Sequence, residues 1–209
     1  MDVNARRIAM YELLSRIFIQ EMDEYALSKI EGMEGFSQFF PNYFKWEERG
    51  KKSRYKLIKE ILNVDFTDIA VMHLIPYETF YTREDGMIET GGANPVLQIY
   101  NDFGYRVDYE KARVLSADHI GVELEFMKML SEAFNEALKA KDSEASKELL
   151  DIQINFLKEH LLRFAPMYLI NVAEQARTPF YKDAAKLALE FLLEDYEYLS
   201  DFNKKSIKG

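Results

Sequence analysis

Three histidines, thirty-six carboxylates and no cysteine bound the chemistry open to this chain of 209 residues. A carboxylate-bridged di-metal bundle needs Glu-x-x-His on each of two helices and two further inward carboxylates. Three positions before His73, His119 and His160 stand Ala70, Ser116 and Leu157, so the spacing fails each time. His119 and Glu123 lie one helical turn apart, but two ligands fall short of a metal site. A histidine at a helix start, bonded to a neighbouring carboxylate, accounts for that pair. His160 falls on an apolar stripe and reads as a core histidine, and His73 has no evident partner. Without cysteine there are no disulfides, thiolate zinc sites, iron–sulfur ligands or thiol nucleophiles. Gly91-Gly92 lacks the Lys and Ser/Thr of a phosphate-cradling loop, and neither a nucleophile elbow nor a dinucleotide fingerprint is present. The expectation is a protein that is not an enzyme and holds no metal or cofactor.

The elements that must position these residues read as helices. Ile8, Tyr11, Leu14 and Phe18 recur at helical spacing and predict a helix over 3–21. That periodicity, with Glu12 and Arg16 inside it, makes Arg6-Arg7 part of a first helix and not of an export leader. Further helices are expected over 24–33, 53–63 and 66–75, the last ended by Pro76. An acidic, glycine-rich loop spans 82–94, with Glu84, Asp85 and Glu89 among Gly86, Gly91 and Gly92. Asn94-Pro95 restarts a helix as N-cap and first residue, and Gly104 ends it. A long amphipathic helix follows from Ala117 to Leu138, with Ser116 and Asp118 placed to cap it. Another runs from Ser143 to Phe164, closed by Pro166, and a last one from Thr178-Pro179 to about Leu199. No strand alternation or internal repeat appears. The fold expected is all-α, a multi-helix bundle in two halves, 1–105 and 116–209, joined by a hinge at 105–115.

At 48% hydrophobic residues the chain can bury a substantial core, and its 29 aromatics exceed the needs of a lean bundle, leaving some for a surface groove. The formal charge of −9 repels phosphate backbones and attracts basic peptides. Nucleic acid is therefore not an expected partner, no apolar run is long enough to span a membrane, and the expected location is the cytoplasm.

The segment Asp118-His119-Ile120-Gly121-Val122-Glu123-Leu124-Glu125-Phe126-Met127 resembles the Asp-His-x-x-x-Glu-Leu-x-Phe-Met signature of the TorD/DmsD/NarJ family, chaperones for molybdopterin oxidoreductases. Three more blocks agree in order. Pro76-Tyr77-Glu78-x-Phe80-Tyr81, with Tyr100 and Gly104 beyond the loop, is similar to the Pro-Tyr block of that family. Gln153-x-x-Phe156-Leu157-x-x-His160-Leu161 with Pro166 resembles its Gln-x-x-Phe block, and 176–181 resembles the start of its last helix. Ala117 stands where many members have Pro, and Phe164 replaces the usual Trp.

The resemblance implies an all-helical chaperone that binds the signal peptide and the apo-subunit of a molybdenum-containing oxidoreductase, as a monomer or dimer, and holds back export or assembly until the cofactor is in place. It also implies peptide-binding roles for Asp118 and His119, with Tyr77, Glu78 and Glu123 beside them. A leader with a basic end and an apolar stretch calls for carboxylates at the edge of an apolar recess. Two rivals from other classes are a TetR-like regulator, for which the first 50 residues offer no basic helix-turn-helix, and a metal- or nucleotide-dependent helical enzyme.

Overall fold

The computed structural model describes the backbone of residues 2–206 and the side chains of residues 2–204. Among the described residues the regular structure is helical. The one extended pairing is an antiparallel bridge between Tyr77 and His119.

Helix α1 (Val3–Ile19) is followed by α2 (Glu24–Glu31), whose N-cap Asp23 accepts from the Ala26 N–H. Three short helices, α3 (Phe36–Phe39), α4 (Pro41–Lys45) and α5 (Glu48–Lys51), carry the chain round a turn rich in phenylalanine. The helices expected over 53–63 and 66–75 are one continuous run, α6 (54–72). Within it Leu57–Leu62 and Asp68–Met72 are wound as π-helix. Nothing between 63 and 66 breaks the backbone, so the change of apolar face is taken up by widening the helix.

Helix α7 (Glu78–Thr82) leads into the acidic loop, and α8 (Leu97–Asp102) leaves it, closed by Gly104 at φ +68°. The expected hinge segment contains a single turn, α9 (Tyr109–Ala112). Ala112 and Val114 are buried, and the Gln20 side-chain amide donates to the Lys111 carbonyl at 2.6 Å.

The long helix α10 (Ile120–Ala140) starts later than expected. Its N-cap is His119, whose Nδ1 accepts from the Gly121 N–H at 3.1 Å; neither Ser116 nor Asp118 caps it. Helix α11 (143–175) passes through Pro166 instead of stopping there. Pro166 has no N–H to offer residue 162 and would crowd its carbonyl. The π-turn at Leu157–Leu161 lies just ahead of that point, where the helix can absorb the misfit. Helix α12 (Pro179–Ser206) completes the chain, beyond the expected end near Leu199.

Helices α1, α10, α11 and α12 form the body. A single buried apolar cluster runs through it from Tyr11 to Leu199, drawing on both expected halves. Helix α1 crosses the start of α10 so closely that a Cβ on Gly121 would sit 2.7 Å from Ile19 Cβ and 2.9 Å from its backbone nitrogen. Ser15 Oγ donates to the Gly121 carbonyl at 2.8 Å at the same crossing.

Polar pins fix the rest. Arg7 is buried, donating from Nη2 to Asp195 Oδ2 at 3.0 Å and to Gln153 Oε1 at 2.7 Å, while the Tyr11 hydroxyl donates to Asp195 at 2.6 Å. That network locks α1 to α11 and α12. Asp65 accepts from the Arg177 and Thr178 N–H groups at 2.9 and 2.8 Å, holding the start of α12 against α6.

Candidate functional site

The Pro-Tyr and Asp-His residues singled out in the sequence converge with His160, which lies 82 positions from its partner Glu78. Asp118 lies in the extended stretch between the hinge segment and α10, fully buried at 0% exposure. Its Oδ2 accepts from the Thr79 N–H at 2.8 Å and the Thr79 hydroxyl at 2.6 Å; its Oδ1 accepts from the Asn94 amide at 2.9 Å. Asn94 and the Ser116 hydroxyl both donate to the Glu89 carbonyl, at 2.9 and 2.6 Å, and the Glu89 N–H donates to Thr79 Oγ1 at 2.9 Å. One carboxylate thus anchors both ends of the acidic loop.

Around this anchor the chain pairs as a short clasp. The Glu78 N–H donates to the Asp118 carbonyl at 2.9 Å and the Ile120 N–H to the Pro76 carbonyl at 2.8 Å. The Tyr77 ring meets the His119 imidazole edge-on at 5.1 Å, and the Tyr77 hydroxyl accepts from the Leu115 N–H at 2.9 Å. Buried Glu78 meets His160 Nδ1 at 3.0 Å, and His160 stacks on Phe156 at 4.9 Å. His160 is therefore partnered, as a core histidine should be. The Pro-Tyr, Asp-His and Gln-x-x-Phe blocks meet here. Gln153 departs from them and serves the Arg7 network instead.

Glu123, expected to bond His119, is fully buried with neither carboxylate oxygen hydrogen-bonded. Burial, then the nearby charges of Glu78 and Asp118, hold its pKa well above the carboxylate range. Burial lowers the His119 pKa to about 3, against the pull of Asp118. Its Nδ1 accepts a backbone N–H, so the ring is neutral and protonated on Nε2.

The five expected peptide-binding residues, Tyr77, Glu78, Asp118, His119 and Glu123, are all buried and bonded or packed against their own chain. What they present to solvent is the loop they hold. It carries Glu84 and Asp85, with Met87 64% exposed, and Leu115 at 69% exposure flanks its anchor. Arg83 forms ion pairs with Asp85 and Glu89 and helps lower the Asp85 pKa to about 2.

A recess of about 1100 Å³ lies elsewhere, a groove between α1, α2 and the segment 105–112. None of the five residues lines it. Its floor includes Met10, Leu13, Ile30, Met33 and Phe39. The expected acids at the edge of the recess are outnumbered, because seven arginines and lysines line it against four carboxylates. Sequence reasoning missed this groove, although α1 shows it: beside the core stripe of Tyr11, Leu14 and Phe18, a second set of apolar residues, Val3, Met10 and Leu13, turns toward the recess.

Among the described residues no cluster of histidines and carboxylates could hold a metal ion, and no helix is long and apolar enough to cross a membrane.

Comparison with known proteins agrees with the motif blocks. The profile of the family described as nitrate reductase delta subunit matches residues 62–169. The chaperone protein TorD of Vibrio cholerae serotype O1 (strain O395) is 24% identical over 219 residues, covering 95% of this chain and 94% of the relative. That of Vibrio vulnificus (strain YJ016) is 25% identical, covering 94% and 95%. Photobacterium profundum has a TorD 22% identical, again covering 94% and 95%. No solved structure matches significantly. The matched residues take in α7, the acidic loop, the Asp-His clasp and most of α11, and the chain belongs to the nitrate reductase delta subunit family, the TorD/NarJ group that its motifs resemble.

Proposed function

We propose that this protein is a cytoplasmic chaperone for a molybdenum-containing oxidoreductase, binding the leader and apo-form of its catalytic subunit until the cofactor is inserted. Relatives named chaperone protein TorD align over nearly the whole length of both chains, and no catalytic constellation among the described residues competes with a binding role.

The observation that carries the leader-binding reading is the buried Asp118 anchor, which mounts an acidic loop beside exposed apolar side chains. A leader with a basic end finds Glu84 and Asp85 there, and its apolar stretch finds Met87 and Leu115. Each exposed ion pair contributes about 0–1 kcal/mol, whereas a fully buried large apolar side chain contributes roughly 1.5–3 kcal/mol. The apolar stretch supplies affinity and the acids supply orientation. In this reading Asp118, His119, Tyr77, Glu78 and Glu123 act on the peptide by positioning that surface. The segment 105–115 is where the two halves move when it rearranges.

Calorimetry with the leader peptides of molybdoenzymes encoded beside this gene tests the proposal. A one-to-one complex weakened by salt is the expected outcome. Glu84→Gln with Asp85→Asn should weaken it about two- to fivefold per site without altering the melting temperature. Failure of every leader and every apo-subunit to bind would count decisively against it.

A further inference from the structure

The clasp brings three buried carboxyl groups together, Glu78, Asp118 and Glu123, and supplies them unequally with partners. Asp118 accepts from three donors, the Thr79 N–H, the Thr79 hydroxyl and the Asn94 amide. Glu78 meets His160 Nδ1 at 3.0 Å, a contact that carries countercharge only while the imidazole is protonated. Glu123 has neither. Both of its oxygens are buried and accept no hydrogen bond, and the charges acting on it, those of Glu78 and Asp118, are negative. The titratable groups around it come from every side: Glu78 on α7, Asp118 and His119 in the extended stretch, Tyr100 on α8 and, behind Glu78, His160 on α11. His119 is neutral, and the Tyr100 hydroxyl is spent on the Ala117 carbonyl at 3.3 Å. A carboxylate without donor or countercharge is not stable in such a place, whereas a carboxylic acid is. The closed clasp therefore keeps a proton on Glu123 well above its ordinary 4.5.

What covers Glu123 is held less firmly than what lies beneath it. The body shares one apolar cluster and the Arg7 network. Residues 76–79 rest on 118–120 through two backbone hydrogen bonds, the Thr79 contacts with Asp118 and the edge-on rings of Tyr77 and His119. Helix α7 is only five residues long and adds the Tyr81 ring, 6.0 Å from Phe164. Parting 76–79 from 118–120 takes Glu78 from beside Glu123 and admits water, with the helical body intact.

We infer that the clasp is a proton-operated latch: it stays shut while Glu123 holds its proton, and opening it releases that proton to water and frees the acidic loop from the body. The closed form binds one proton more than the open form, so it is favoured at low pH and loses ground as pH rises. One proton per opening raises the open fraction by up to about tenfold per pH unit, until Glu123 ionises in the closed form as well. Deprotonation of His160 removes the countercharge of Glu78 and acts in the same direction. The latch needs only this chain and stands without the leader-binding reading.

Amide hydrogen exchange on the full chain tests it, under conditions where the rate reports the opening equilibrium. Between about pH 6.5 and 8, after correction for the intrinsic rate, the Glu78, Thr79 and Ile120 amides should exchange about thirtyfold faster, with Leu130 in α10 and Leu169 in α11 slower throughout. Glu123→Gln and Glu123→Met are neutral at every pH, and either should flatten that rise. His160→Asn removes another titrating group and should not abolish it. A flat wild-type profile, an undiminished rise in the Glu123 variants, or a rise lost in His160→Asn would overturn the inference. So would clasp amides that exchange no sooner than Leu130 and Leu169, because the clasp would then open only as the body unfolds.

Discussion

At the scale of single residues, two buried groups set opposite limits on stability. His119 stays neutral in the fold, with a pKa lowered from 6.5 to about 3 by burial. Below about pH 6.5 the unfolded chain takes up a proton that the folded chain refuses, so stability falls with falling pH until about pH 3, at up to about 1.4 kcal/mol per unit. Glu123 works the other way. Its pKa is raised, so above its ordinary 4.5 the unfolded chain releases a proton that the folded chain keeps, and stability falls with rising pH. The two slopes cancel between about 4.5 and 6.5. Urea unfolding across pH should show this plateau. His119→Asn, which retains a capping side chain, should flatten the acid limb, and Glu123→Gln the alkaline limb. Asp118→Ala strips the acceptor from two buried N–H donors and a hydroxyl, and should cost about 3 kcal/mol, lowering the urea midpoint and leader affinity together. The Asp-His pair was legible in the sequence as a motif. Its partners Thr79 and Asn94 were not, because nothing local marks residues 39 and 24 positions away as sharing one carboxylate.

At the scale of elements, periodicity located the helices and misjudged their ends. Pro166 reads as a stop because an isolated helix loses a hydrogen bond and gains a clash there. The chain carries on because the buried side chains on either side, Phe164, Ala165, Tyr168 and Leu169, hold it in place. The core stripe alone places helix α1; its second apolar set, Val3, Met10 and Leu13, falls within the ordinary breadth of an amphipathic face, so sequence does not mark it as lining a recess. The crossing of α1 over α10 leaves no room at Gly121. Gly121→Ala should destabilise by about 1–3 kcal/mol, because backbone and not a flexible side chain blocks the added methyl. Arg7→Ala leaves Asp195 buried without its countercharge and should cost about 3–5 kcal/mol, read as a lower urea midpoint.

At the scale of the whole molecule, the all-helical class followed from periodicity and the absence of alternation, whereas the groove beside α1 arises only when α2 and the segment 105–112, distant in sequence, are brought side by side. The hinge proposed at 105–115 makes its own prediction. Amides of that segment should exchange with deuterium well before those of α10 and α11, and leader binding should slow them. Equal protection throughout would rule the hinge out.

The bridge between Tyr77 and His119 closes a ring of some forty residues without a covalent bond, with Asp118 as its knot. Whatever happens to chain length at the exposed tip of the acidic loop, near Gly86 and away from Glu89 and Asn94, leaves the knot untouched. Loop entropy rises only about 0.6 kcal/mol for each doubling of length. The flap should therefore accept a spliced-in tag or a single proteolytic nick with the body still folded, which makes it the natural place to attach a reporter of client arrival.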